Sequence, residues 1–241
     1  MFERVAQAVP LGEEPPELSE QPGELLLERD VLAEEDEMDL VVPPRFGAAV
    51  GYKSVVCVAV GTGVGGGIVL DGKLMRGSNH TAGEIGHMTI DFGGPQCRCG
   101  NKGCLESYCC SSAMIALAKA KWHNAVPDAL DELLEGSLDN LTIKKLFGAA
   151  KRDDEVALSV ISESGQLLGL ALAGVVNLLN PDIVVIGGGV ADGGAGYVET
   201  VAAEIRRRAF STATENLRIA RASLGNDAGF IGAGILGESR N

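Results

Sequence analysis

The stretch "PDIVVIGGGV", Pro181 to Val190, constrains the fold most, because a run of buried-strand residues ends abruptly in three glycines. It follows "DEVALSVISESGQLLGLALAGVVNLLN", a long apolar pattern rich in alanine and glycine that predicts a central helix packed on a sheet. Upstream, "YKSVVCVAVGTGVGGGIVLDGKLMRG" reads as a strand, a glycine turn and a second strand bending back at Asp71-Gly72, a dipeptide suited to a type I′ turn. "CLESYCCSSAMIALAKAKW" predicts one helix, and "DALDELLEG" and "TIKKLFGAAKRDD" two shorter ones. A helix in "GYVETVAAEIRRRAF", a strand in "LRIARAS" and a helix in "NDAGFIGAGILGES" close the pattern. Strands alternating with helices place the chain in the α/β class.

With 241 residues, 46% of them hydrophobic, the chain can bury a substantial core. A net charge of −13 argues against a general nucleic-acid binder, since phosphate contacts need cations to displace condensed counterions. Residues 1–48 hold 13 acidic and 3 basic side chains and so carry most of that charge. Residues 1–45 also contain six of the nine prolines. They form an acidic, atypical N-terminal segment expected to add little to the core, distinct from residues 46–241. No basic start followed by an apolar stretch occurs, and no run reaches about 18 unbroken apolar residues, so a cytoplasmic protein without membrane association is expected. In that reducing compartment six cysteines suggest metal binding before disulfides.

Two glycine turns carry possible ligand chemistry. "GTGVGGG", Gly61 to Gly67, is no P-loop, for no Lys-Ser/Thr follows; nor is it a dinucleotide fingerprint, for a strand rather than a helix comes next. It is either a flexible hairpin loop or a turn that aims backbone N–H groups at an anion. The second turn, Gly187 to Gly189, follows a strand and precedes a helix. Two such turns at carboxyl ends of strands in one sheet together favour nucleotide binding.

"GEIGHMTIDFGGPQCRCGNKGCLES" supplies the other half. His87, Cys97, Cys99 and Cys104 form H-x9-C-x-C-x4-C, whose donors and interspersed glycines can close a tetrahedron around a structural zinc. Fixing that loop also fixes Glu84, three residues before His87, and Glu106, two after Cys104. Two carboxylates and the second imidazole nitrogen suit sugar hydroxyls, which both donate and accept. Cys109 and Cys110 fall outside the metal spacing, on adjacent helical positions, and read as core thiols; Met88, Met114 and Trp122 read as core or interface. Arg206, Arg207 and Arg208 suit the end of a helix.

In this order and spacing, GTGVGGG, GEIGHM, CRCGNKGCLE, IGGGV and LGNDAGFIGAG resemble the ROK family of bacterial sugar kinases and sugar-sensing repressors, most of all its glucokinases. The resemblance runs from Arg45 to Gly237. It implies a ribonuclease H-like lobe of the actin, hexokinase and Hsp70 type, with a structural zinc loop, in which Mg-ATP phosphorylates the 6-hydroxyl of a hexose. By position, Gly61, Thr62, Gly63 and Gly65 would belong to a phosphate loop, and Gly187, Gly188 and Gly189 would lie against adenosine. Glu84, His87 and Glu106 would hold ring hydroxyls, with His87, Cys97, Cys99 and Cys104 on zinc. Glucose is the hexose the family favours, with N-acetylmannosamine and fructose open, and a homodimer is expected.

The resemblance also has gaps. Family kinases begin with an Asp-x-Gly-Gly-Thr phosphate turn and carry the catalytic base in Asn-Asp-x-Asn, and neither string occurs in residues 1–48. The corresponding window reads "LAEEDEMDLVVPPRFGA"; Glu35 lies nearest the base position with Asp36 beside it, and neither is assigned. The expectation is a truncated kinase with impaired turnover. Two alternatives stand beside it: a sugar-sensing regulator or binding module, for which the acidic start is no helix-turn-helix, and a zinc-stabilised scaffold contributing a dimer interface, since helices such as Cys104 to Trp122 give little clue about their partners.

Overall fold

The computed structural model describes residues 47–122, 134, 137–194 and 196–225. The acidic N-terminal segment with Glu35 and Asp36, most of "DALDELLEG" and the whole of the last predicted helix lie outside the described residues.

Among these residues the strands are β1 (Val55–Val60), β2 (Val64–Leu70), β3 (Lys73–Leu74), β4 (Ile183–Gly187) and β5 (Arg218–Arg221). They form one mixed sheet in the order β3-β2-β1-β4-β5. β2 runs antiparallel to β1, with Val60 opposite Val64, and the β2–β3 turn has Asp71 and Gly72 at φ 51° and 75°, as the dipeptide predicts. β1 pairs in parallel with β4, placing Ala59 opposite Gly187, and β4 in parallel with β5. The carboxyl ends of β1 and β4 therefore lie side by side, and each leads into a glycine turn.

Among the described residues the α-helices with defined bounds are α1 (Glu106–Cys109), α2 (Ser111–Trp122), α3 (Ile143–Ala150), α4 (Glu155–Leu179), α5 (Gly188–Asp192), α6 (Tyr197–Arg208) and α7 (Ser211–Thr214). α4 begins where the Asp154 carboxylate accepts the Ala157 N–H at 2.8 Å, and ends at Asn180 in the left-handed region, before Pro181. Strand alternation sorts the core into two layers. Val56, Val58, Val60, Val184 and Ile186 face the helices, where Leu168 and Leu172 of α4 and Val201 and Ile205 of α6 are fully buried. Each such side chain contributes about 1.5–3 kcal/mol. Val55, Cys57, Ile183 and Val185 face the other way, onto Ala48, Ala49 and Tyr52. Among the described residues α4 alone is long and apolar enough to cross a membrane, but 56% of its most apolar window is buried within this core.

The single helix predicted over residues 104–122 is instead two. Cys110 is extended (φ −68°, ψ 160°) between α1 and α2, because Ser111 turns both its backbone N–H (2.7 Å) and its hydroxyl (2.8 Å) onto the Gly61 carbonyl. Cys109 and Cys110 are thus not adjacent helical positions, though both are buried, as is Met114, while Met88 and Trp122 pack against the core half-buried. Arg206, Arg207 and Arg208 end α6, and Arg207 and Arg208 fold back onto Glu204, with their closest approaches 2.8 and 2.7 Å.

Candidate functional site

The two glycine turns touch. Gly188 has φ +84°, and a Cβ there would stand 2.5 Å from the Val60 carbonyl oxygen, so only glycine lets α5 start against the end of β1. The first turn is more committed than its sequence implies. The Gly61 N–H is bonded to the Gly63 carbonyl at 2.9 Å, and the Gly61 carbonyl accepts from Ser111. The Val64 N–H is donated to Glu106 Oε2 at 3.0 Å. Gly65, expected in the loop, lies in β2 opposite Ala59, which corrects its placement: the valine-rich alternation of β1 extends the pairing through the glycines. Thr62 is exposed at the tip.

The glycines of β2 serve a different close approach. A Cβ on Gly66 would stand 2.5 Å from the Gly83 carbonyl oxygen, and one on Gly83 would stand 2.7 Å from that of Gly66. "GEIGH" thereby lies directly on the strand, and its short 3-10 turn, Ile85–His87, is seated there by the buried Ile85.

From this seat the chain enters the cysteine loop. Isolated bridges pair Thr89 with Cys104 and Gln96 with Lys102, and the Cys97 N–H reaches the Asn101 carbonyl at 2.8 Å. Tyr108 donates to Asp91 at 2.8 Å and ties the loop to α1; burial, followed by this carboxylate, pushes the phenol up to about 12. His87, Cys97, Cys99 and Cys104 present donor atoms all within 4.8 Å of one another. Cys99 and Cys104 sulfurs are 3.6 Å apart, and Cys97 Sγ is 3.7 Å from His87 Nδ1. A tetrahedral zinc with thiolates at about 2.3 Å needs donor separations of roughly 3.7 Å, so the donor set and its spacing fit that ion. Burial works to raise the Cys97 thiol, but hydrogen bonds from the Cys99 backbone and from Cys99, Ser107 and Cys104 side chains bring it down to about 7. Burial and the neighbouring Cys99 and Cys97 push Cys104 up to about 12.

The His87 ring points two ways. Nδ1 faces the sulfurs, and Nε2 faces the Glu84 carboxylate at 4.0 Å, with Glu84 half exposed. Glu106, by contrast, is held on both oxygens. It is buried, with Oε2 on Val64 and Oε1 3.5 Å from the exposed Arg98 guanidinium. Sequence reading missed Ser111, Arg98 and the Asp91–Tyr108 pair. Ser111 had a usable signal, since serines opening an apolar helical pattern are helix-start residues.

The mixed-sheet α/β fold is similar to that of ROK kinase structures. The chain belongs to the ROK family, whose model matches residues 29–240. It is 41% identical over 193 residues to a glucokinase of Halalkalibacterium halodurans, covering 79% of this chain and 58% of that protein. It is 33% identical over 187 residues to a putative xylose repressor of a Caldicellulosiruptor species, covering 78% of this chain and 46% of that one. Among solved structures, a ROK family glucokinase from Streptomyces griseus in complex with glucose and AMPPNP superposes with TM-score 0.76 at 33% identity, over 84% of this chain and 66% of that one. A ROK family transcriptional regulator homologous to the E. coli MLC protein gives 0.74 at 29%, over 85% and 50%. The chain thus spans between 46% and 66% of these relatives' length.

Proposed function

We propose that this chain carries the sugar-, zinc- and nucleotide-handling part of a ROK glucokinase, acting on the 6-hydroxyl of a hexose with Mg-ATP. The supporting observation is the two-sided His87 ring: one nitrogen belongs to the four-donor cluster and the other faces Glu84, on a segment seated directly on the strand that leaves the first glycine turn. In this reading His87, Cys97, Cys99 and Cys104 hold a structural zinc, which supplies rigidity and no reaction step. Glu84 and the His87 Nε2 orient ring hydroxyls, with Glu106 at the edge of that subsite. The turn Gly61, Thr62 and Gly63 lies against the phosphates, and Gly187, Gly188 and Gly189 against adenosine, in the crevice beyond adjacent parallel strands.

Transfer forms a bond from the hexose O6 to the γ-phosphorus, breaks the bond to the β–γ bridging oxygen and releases the hydroxyl proton to a base. No residue of this chain is assigned as that base. Since such a base contributes about 10²- to 10⁴-fold, turnover by these residues alone is impaired. The test is calorimetric titration of glucose and AMPPNP, with a coupled assay of Mg-ATP and a hexose panel. Sugar binding with slow turnover is the expected result; absence of hexose binding in the zinc-loaded chain overturns the reading. The repressor relatives favour a second reading, a sugar-sensing module, which predicts hexose binding with neither AMPPNP binding nor turnover.

A further inference from the structure

Glu106 is the first residue of α1, and α1 grows directly out of the cysteine cluster: the Ser107 N–H donates to the Cys104 carbonyl at 3.0 Å. Its two carboxylate oxygens face different parts of the molecule. Oε2 accepts the Val64 N–H at 3.0 Å in a buried setting, and a Cβ on Gly63 would stand 2.7 Å from the same oxygen, so the turn rests on the carboxylate itself. Oε1 faces Arg98, the residue between Cys97 and Cys99, at 3.5 Å. The Glu106 side chain is 12% exposed, and a carboxylate so enclosed depends on both partners to offset its lost hydration. One partner is the turn, and the other is held by the loop.

We propose that Glu106 is a positioning residue that couples the cysteine loop to the glycine hairpin, so that loading the cluster with zinc orders the Gly61–Val64 turn. The coupling rests on the reading of the cluster as a zinc site and of the turn as a phosphate site. Bound zinc fixes Cys97, Cys99 and Cys104 together, which fixes Arg98 and the start of α1, and these two hold the carboxylate in place to receive Val64. Without the ion the sulfurs separate, the carboxylate loses its fixed position, and the Val64 N–H opens to water. Nucleotide affinity then depends on a metal that never meets the nucleotide.

The test is amide exchange read by NMR on the full chain, zinc-loaded and chelated, in wild type, Glu106→Ala and Glu106→Gln, with the Ile186 amide of β4 as internal reference. In wild type, zinc removal speeds Val64 exchange about tenfold, the loss of one charge-assisted hydrogen bond, and leaves Ile186 unchanged. In Glu106→Ala, Val64 exchanges fast with or without zinc. Unchanged Val64 exchange in wild type that has demonstrably lost its zinc overturns the proposal, as does equal protection in Glu106→Ala and wild type. Should Glu106→Ala open β4 as well, Glu106→Gln decides: its neutral oxygen holds Val64 more weakly, so the zinc effect shrinks about threefold, and an undiminished effect overturns the coupling. Glucose titration of the zinc-loaded wild type separates this from the kinase reading. Lost hexose binding with coupling intact sinks only that reading, and hexose binding without coupling sinks only this one.

Discussion

His87 Nδ1 lies 3.7 Å from Cys97 Sγ, which joins a residue of the strand-seated turn to the far loop through the width of one ion. A metal there would add a cross-link to a loop that is held by two isolated bridges and a few hydrogen bonds.

The first prediction follows from that closure. Chain prepared in zinc contains about one zinc, Cys99→Ser loses it, and chelation lowers the melting temperature by about 5 °C or more, because binding energy at such sites is folding energy. Elemental analysis and calorimetry check this, and a melting temperature indifferent to chelator counts against a structural ion.

Glu84 is half exposed and contacts the cluster only through His87. Glu84→Gln should therefore leave zinc content unchanged while weakening glucose binding about tenfold, the worth of a charged hydrogen bond to a hydroxyl. Titration calorimetry beside metal analysis reads both; a parallel loss of zinc would make Glu84 part of the metal site instead.

Gly66 stands where two backbones meet. Gly66→Ala cannot be relieved by a rotamer change in a neighbour and should destabilise the chain by about 1–3 kcal/mol in urea titration. Gly72→Ala, whose added Cβ meets nothing within 4 Å, shows by contrast only the cost of a positive φ.

Burial pushes the thiols of Cys57 and Cys109 up to about 12 from an ordinary 9.0. Above pH 9 the unfolded chain gives up these protons while the folded chain keeps them, so stability falls from about pH 9 towards pH 12. Each group contributes a slope of up to about 1.4 kcal/mol per pH unit. Urea midpoints measured across that range should show the decline, with a shallower slope in Cys57→Ala. Native alkylation at pH 8 should spare both residues.

What was legible in the sequence was local. Asp71-Gly72 specifies its turn within two residues, "IVVIG" its strand within five, and the spacing of His87, Cys97, Cys99 and Cys104 their meeting within one loop. What was not legible depends on partners distant in sequence. Ser111 breaks the predicted helix because it finds Gly61, 50 residues away, and Glu106 is drawn inward by Val64, 42 residues away. Neither residue type announces such a partner. The glycine run was ambiguous for a related reason: Gly61 and Gly63 shape the turn, whereas Gly66 makes room for Gly83, and composition alone does not divide these duties.

The seam between Gly66 and Gly83 is a direct meeting of two backbones, with the buried Ile85 side chain packed beside it. Any displacement of β2 is therefore passed through this close contact to the imidazole and the sulfurs beyond it. Subtle tuning of this protein by mutation should accordingly succeed at the rim of the cysteine loop and fail along that joint.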